Sequence, residues 1–544
     1  MRTAKALLPV VAFILLGARG CPPPPGRPTA PPPPAQTSKP TPVKQYAAAE
    51  GVTLGAGADS VMEINPGRKA KDILPGAYGW GNQWVSRDLW PKPPGNLNDA
   101  SHRAYIAQVA KANAPLVKQA DVRNMSWPWG VTFGSWGVNW ENTIGPYSKR
   151  TKDCARRGGR GSGWCETAIV GLDDFLTLAQ GWGLEAITVG ASVAVYDGGE
   201  NMRWGPNLLT NAFDGGAIEN LSNHAVKMVE HMKRHPGWNG FQRVYLAMGC
   251  EWRHYSLFPP SQDVLTYVQL VKTVRKKIND PKIVVVAVAS DSADYEPQKA
   301  NSWNKPLYDG LVGTPGVVVD LHRYRGQNGL EGGFGGVQMT PRNIDALMQT
   351  GVSQREYFDV RPSHWGGRGE PLPSVLLENA ILGKDTDHNK KGKADRPWPV
   401  SMAFADLIRE AFASDAQTFL GWLWAPMDVP PEWPFGAHDG RALRDHAVAG
   451  AFLAQYHRGS LWESAVTGSP NIRGNATDGG GRGLFAYGGN FSRTPTTVGF
   501  FVRGGRVSGG AVEILGEKGS RTVPWNGQTP VPIGPLELWR VAFR

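Results

Sequence analysis

The chain lacks most of the features that announce a function early. Cysteine is scarce, four in 544 residues, and none stands with histidine at zinc spacing, so a structural zinc module is excluded. Charged residues make up only 19%. No Lys/Arg run with interleaved aromatics occurs in the folded part, and no nucleic-acid partner is expected. The net charge of +11 does not oppose this. Residues 1–45 hold Arg2, Lys5, Arg19, Arg27, Lys39 and Lys44 without a single acid, so more than half of the excess sits in that tail. No Gly-rich dinucleotide loop follows the first strand signal, and Gly-x-Ser-x-Gly is absent from the strand ends, against nicotinamide enzymes and serine hydrolases. What the chain has in excess is tryptophan, 21 residues, together with enough apolar content, 41%, to build a large core.

The N-terminus reads as an address. Arg2 and Lys5 precede the apolar stretch Ala6–Leu16, and small residues lead to Cys21. The stretch is too short to span a bilayer and fits an export signal. Leu-Gly-Ala-Arg-Gly-Cys resembles a bacterial lipoprotein cleavage box with Cys21 as the lipidated residue, although Arg19 is unusual there. Ordinary secretion is the alternative. The expected location is thus the bacterial cell surface or periplasm, with a lipid anchor as the sole membrane attachment. Residues 22–45 carry Pro22–Pro25 and Pro31–Pro34 and favour extended conformations that cannot pack, as in a stalk. Export permits a disulfide between Cys154 and Cys165, which would leave Cys250 as a free thiol.

From residue 70 onward short apolar runs alternate with helical stretches. The runs are Ile73–Trp80, Leu116–Met125, Glu185–Val193, Arg243–Glu251, Ile283–Ser290, Val317–Tyr324, Val375–Ala380 and Phe419–Ala425. Continuous apolar strands are buried on both faces, as in a parallel sheet covered by helices. Helices are expected at 99–113, 171–182, 217–234, 261–279, 302–312, 341–350, 400–414 and 441–457. Eight such repeats predict an α/β fold, a (β/α)8 TIM barrel over 67–460. Residues 461–544 are rich in Gly, Thr and Val and read as a small β-sandwich-like domain, with a strand from 46–66 joining it.

Active sites of such barrels lie at the C-terminal strand ends. Those ends here offer Trp80, Arg123, Asn124, Glu251, Trp252, His322, Tyr324, Glu378, Trp422 and Trp424. Glu251 and Glu378 close apolar strands four and seven, where ionisation is costly unless the group is solvated, paired or used in chemistry. Sugar rings stack their C–H faces on indoles, so the aromatics in strand-end and loop segments, including Trp127, Trp129 and Trp140, predict a carbohydrate polymer or oligosaccharide as partner. Asp385, Asp387, Asn389 and Asp395 alternate like calcium ligands. Arg396 at the twelfth position and the missing sixth-position glycine favour a solvated loop. No metal or cofactor is expected, and the oligomeric state is not encoded in any pattern.

Carboxylates ending strands four and seven resemble the signature of clan A glycoside hydrolases, retaining enzymes on this barrel. Val122–Arg150 is similar to the second-strand region of family 51 arabinofuranosidases, which has an Arg, then a Trp, then Ile-Gly-Pro before another Arg. Here these are Arg123, Trp140, Ile144-Gly145-Pro146 and Arg150. Phe175–Val189 and Leu321-His322-Arg323-Tyr324 also look like that group's third and sixth strands. The resemblance implies Glu251 as general acid/base and Glu378 as nucleophile. It implies Arg123 and Tyr324 as hydrogen-bond donors to Glu378, and His322 as a sugar contact or a partner of Glu251. The Glu378 charge and an apolar wall at Trp252 are then expected to keep Glu251 protonated. Cys250 stands where the clan has Asn before the acid/base Glu, so a 2-hydroxyl contact is lost or comes from elsewhere, with Asn124 the nearest substitute. A non-catalytic glycan-binding lipoprotein on the same scaffold is the alternative, and a polysaccharide lyase a third.

Overall fold

A computed structural model describes residues 51–54, 57–81, 91–127, 140–150, 169–191, 216–249, 260–289, 297–320, 323–325, 372–381, 398–414, 416–421, 437–438, 440–505, 507 and 509–544. The export signal, Cys21, the Pro-rich segment, the Cys154–Cys165 pair, Cys250 and the 385–395 loop lie outside these residues. Two strands open the described chain, β1 (Gly51–Leu54) and β2 (Ser60–Asp72). Then come β3 (Tyr78–Trp80), β4 (Asn124–Trp127), β5 (Ala186–Ala191), β6 (Arg243–Met248), β7 (Ile283–Val288) and β8 (Val317–Asp320). β9 (Arg323–Arg325), β10 (Ser374–Ile381) and β11 (Ala416–Gly421) complete this part. The strands β3 to β8, β10 and β11 are parallel neighbours in that order. β11 pairs with both β10 and β3, which closes an eight-stranded barrel, and β9 lies along β10.

The barrel forms because these strands carry apolar residues on both faces. Tyr245, Ala247, Val284, Val286, Val318, Val375, Leu377 and Leu420 make one cluster. The alternate residues, such as Val244, Leu246, Val285 and Phe419, belong to a second, larger cluster with the helices. Gly79 is required where β3 meets β4. A Cβ there would stand 1.9 Å from the Asn124 carbonyl oxygen.

The described helices are α1 (Asp99–Gln119), α2 (Leu172–Gly181), α3 (Gly216–Arg234), α4 (Pro260–Lys277), α5 (Pro297–Leu311), α6 (Trp398–Ala413) and α7 (Asp445–Ala454). Asn98 caps α1, its side chain accepting from the Ala100 and Ser101 amides at 3.0 and 2.9 Å. This helix is longer than the sequence pattern suggests. It continues through Pro115, and Leu116 and Val117, read above as the start of strand two, are buried on its last turn. Asp121 then turns the chain with φ 52°, a conformation Asp tolerates better than most residues, and strand two begins only at Asn124.

The remaining strands are β12 (Ser460–Thr467), β13 (Ile472–Thr477), β14 (Phe485–Asn490), β15 (Thr496–Arg503), β16 (Gly510–Gly516), β17 (Gly519–Trp525), β18 (Val531–Ile533) and β19 (Glu537–Phe543). They form a mixed sheet with β1 and β2, in which β2 lies between β15 and β12. Its core holds Met62, Ile64, Val498, Phe500, Trp525 and Trp539. Helix α6 is buried along almost its whole length. It packs on α7 and β11 and reaches β13. The Trp398 indole donates to the Leu536 carbonyl at 2.7 Å. Buried Asp406 pairs with Arg409 at 3.0 Å and with Arg473 of β13. Barrel and β domain thus share buried polar as well as apolar contacts.

Candidate active site

The C-terminal halves of strands six and seven carry two of the residues expected to do chemistry. Glu378 lies within β10 and Tyr324 within β9, and the parallel register sets Ala380 opposite Tyr324 and Asn379 opposite Arg323. Glu378 and Tyr324 therefore lie on adjacent strands, their registers offset. The other expected site residues at this end, Glu251, Trp129, Trp252, His322, Trp422 and Trp424, lie outside the described residues.

Asp320 closes β8 at 1% exposure. One carboxylate oxygen, Oδ1, accepts the backbone N–H of Leu377 at 3.1 Å. This residue was missed in the sequence, where the run Val317-Val318-Val319-Asp320 was read through to Tyr324. The reasoning applied to Glu251 and Glu378, a carboxylate ending an apolar strand, would have found it.

Four expected substrate contacts are placed elsewhere. Arg123 precedes β4 and so lies at the opposite end of the barrel from a mouth at the strand C-termini. Its guanidinium Nη2 donates to the carbonyl oxygens of Ala454 and His457 at 3.2 and 3.0 Å. Its Nε is 3.5 Å from Asp121. Arg123 thereby covers the C-terminal end of α7, where a cation suits the free carbonyls. Burial pulls its pKa down, opposed by Asp121, but a guanidinium stays charged at any working pH. Around it Arg458 bridges Asp121 and Glu185 at 2.5 and 2.9 Å. Glu185 also accepts the Gly76 amide at 3.0 Å. This is a structural network.

Asn124 opens β4 in the barrel interior. Its amide nitrogen donates to Thr418 at 3.1 Å and its oxygen accepts from Thr188 at 3.2 Å. Thr418 in turn donates to the Gly76 carbonyl at 2.6 Å. Asn124 is thus a member of a buried polar layer at the strand starts, not a substitute for the Asn replaced by Cys250.

Trp127 ends β4, but alternation from inward Asn124 turns it toward the helices. It stacks on Phe175 with ring centroids 6.5 Å apart, and its indole donates to the Val170 carbonyl at 3.0 Å. Ser126 is the inner-face residue there. Trp140 is also buried, with its ring between His224 and His231 of α3. Neither indole can present a face to a sugar. Trp127, with its N–H satisfied, is a packing residue, and Trp303 and Trp398 repeat the pattern by donating to Val288 and Leu536 carbonyls, whereas the buried Trp140 N–H finds no acceptor among the described residues.

The second-strand motif is likewise a structural pin. Arg150 donates to the Gly145 carbonyl at 3.1 and 3.0 Å and to Asp174 of α2 at 2.6 Å. His231 meets Asp173 at 2.6 Å. His102 stacks on Tyr147 at 4.7 Å. These contacts fasten 140–150 to the outside of the barrel. Among the described residues no group of His, Cys, Asp and Glu is arranged to hold a metal ion, and no helix is long and apolar enough to cross a membrane.

The architecture is similar to that of glycoside hydrolases. A family 51 arabinofuranosidase from Xanthomonas axonopodis pv. citri superposes with a TM-score of 0.62 at 12% identity, over 90% of this chain and 100% of its own. A family 51 α-L-arabinofuranosidase from Bifidobacterium longum gives 0.60 at 15% identity, again over 90% and 100%. A family 44 endoglucanase from Clostridium thermocellum gives 0.52 at 12% identity with the same coverage. Barrel and β domain are therefore one shared fold, matched over 90% of this chain. No family model and no curated protein sequence matches the chain.

Proposed function

We propose that the protein is a retaining O-glycoside hydrolase acting on a poly- or oligosaccharide outside the bacterial cell. Glu378 attacks the anomeric carbon while Glu251 protonates the leaving oxygen. Glu251 then activates the water that hydrolyses the glycosyl-enzyme. Such a mechanism requires the two carboxyl groups about 5–5.5 Å apart. Tyr324, on the strand beside Glu378, is assigned as its hydrogen-bond partner. With Arg123 withdrawn from that role, Tyr324 alone of the two expected donors remains. His322 is assigned to the sugar or to Glu251. Trp129, Trp252, Trp422 and Trp424 are assigned to stacking subsites. Export through 1–21, lipidation at Cys21 and a stalk over 22–45 belong to the same proposal.

The observation that supports this reading most is the position of Glu378 on the seventh strand of a closed barrel. That barrel and its β domain align over the full length of family 51 arabinofuranosidases. The test is reducing-sugar release from arabinan, xylan, a β-glucan and agar, with product sizing, by the wild type and Glu251→Gln. Release by wild type that the variant largely loses supports the proposal. Binding without release, unchanged in Glu251→Gln, identifies a glycan-binding protein. Products absorbing in the ultraviolet identify a lyase.

A further inference from the structure

The foot of the barrel carries an excess of cations where the chain enters strands four and five. Helix α3 ends on Lys233 and Arg234, and α4 ends on Arg275, Lys276 and Lys277. Arg243 opens β6, and Lys282 directly precedes β7. The two turns, 235–242 and 278–282, lie at the strand N-terminal end, opposite the mouth. They also touch. Lys233 reaches Asp280 at 3.2 Å, and Lys282 donates to the Trp238 carbonyl at 2.6 Å.

Acids offset only part of this charge. Lys233 pairs with Glu230 as well as Asp280, and Lys277 pairs with Glu219 at 2.7 Å. The other five cations have no carboxylate partner among the described residues. Arg243 donates to the Gln417 side chain at 2.9 Å. Arg275 donates to the Pro315 and Ile278 carbonyls, both at 2.9 Å. The Lys282 ammonium lies 4.5 Å from the centre of the Trp238 ring. Arg234 and Lys276 are exposed. Seven cations against three acids leave four positive charges on this face. The helix macrodipole favours cations in a last turn, which accounts for the ends of α3 and α4. It gives no reason for Arg243 and Lys282 at strand starts with neutral partners.

We propose that this face of the barrel foot docks on an anionic phospholipid surface. An anionic bilayer attracts nearby Lys and Arg with about 1 kcal/mol each, about five-fold in partition. A phospholipid surface is favoured over other polyanions by the N-terminal segment. Extended at about 3.1 Å per residue, residues 22–45 span about 75 Å. A tether of that length behind a lipidated Cys21 keeps the body near the membrane without setting its orientation. The basic foot supplies the orientation and turns the mouth outward, toward a polymer. The membrane setting rests on the proposed anchor at Cys21, whereas the charge on the foot does not.

Residues Val43–Arg544 form one compact unit, so the chain from Val43 onward can be tested without its lipid. Co-sedimentation is measured with vesicles of phosphatidylethanolamine alone and of phosphatidylethanolamine mixed with phosphatidylglycerol. Binding is expected only to the mixed vesicles, and release on raising the salt from about 0.1 to about 0.5 M, where screening shortens the reach of the charges. Arg234→Gln with Lys276→Gln removes two exposed cations that hold no partner in the fold, and partition should fall about 25-fold. Arg68→Gln with Lys518→Gln removes two exposed cations of the β domain and should leave partition unchanged. The proposal is overturned if the mixed vesicles bind nothing, if the foot variant binds like wild type, or if the β-domain variant weakens binding equally. Capture by soluble polygalacturonate without binding to vesicles also overturns it, and assigns the face to an anionic polysaccharide. Sugar release plays no part in the measurement, so failure of the glycosidase reading and failure of this one are separate results.

Discussion

Replacing Arg123 with methionine separates a structural arginine from a catalytic one. Methionine fills much of the same volume without the guanidinium. In the folded protein Arg123 is 5% exposed and gives two charge-assisted hydrogen bonds to the Ala454 and His457 carbonyls. Bonds to charged groups contribute about 1.5–3 kcal/mol each. Asp121 retains Arg458 at 2.5 Å, so its charge is not orphaned by the change. The loss falls on the two carbonyls at the end of α7, and a destabilisation of about 3–6 kcal/mol is expected, the sum of two such bonds. Thermal unfolding followed by circular dichroism should show a clearly lower midpoint. Well below that midpoint, kcat on the cleaved polysaccharide should stay within a few-fold of wild type. An unchanged melting temperature with kcat reduced a hundred-fold or more would refute the placement of Arg123 at the foot of the barrel.

Three further outcomes follow from the packing. Trp127→Ala should cost about 3–5 kcal/mol of stability in thermal denaturation, with KM unaffected, because its ring lies on Phe175 and not in a cleft; a raised KM without a stability change would contradict this. His457 is stacked on Phe412 at 3.7 Å and hydrogen-bonded to Tyr487 at 2.7 Å, and burial holds its pKa well below the ordinary value. The unfolded chain then binds the proton first, so stability should fall as pH drops below about 6.5, and His457→Gln should show a shallower acid slope in melting temperature. Asp406→Leu leaves the buried Arg409 and Arg473 without their shared carboxylate and should lower stability by about 3–5 kcal/mol; adding Arg473→Met should recover part of that loss.

The barrel was legible because its strands are continuous apolar runs, such as Ile283–Val288, with helices between them. Strand two was misplaced for a specific reason. Leu116 and Val117 look alike as a buried helical turn or as the start of a buried strand, and the helix in fact continues through Pro115 to include them. That shift carried Arg123 and Asn124 from the foot of the strand to its mouth. Trp127 was placed at the correct end but on the wrong face, because the face depends on counting from a correctly registered strand start. The tryptophan excess is divided accordingly: Trp80, Trp127, Trp140, Trp238, Trp303 and Trp398 are core residues, Trp525 and Trp539 fill the β domain, and the stacking proposal rests on Trp129, Trp252, Trp422 and Trp424. Asp320 was hidden by reading only the ends of runs, since its bond to the Leu377 amide links two strands that no local pattern connects.

The most direct test of the central claim is the hydrolytic rate of Glu378→Gly, measured with and without azide. If Glu378 is the nucleophile of a retaining glycosidase, the variant is inactive alone and recovers activity with azide, accumulating a glycosyl azide of anomeric configuration opposite to the substrate. Full activity of Glu378→Gly without azide, from an enzyme whose wild type cleaves the same polysaccharide, would contradict the account.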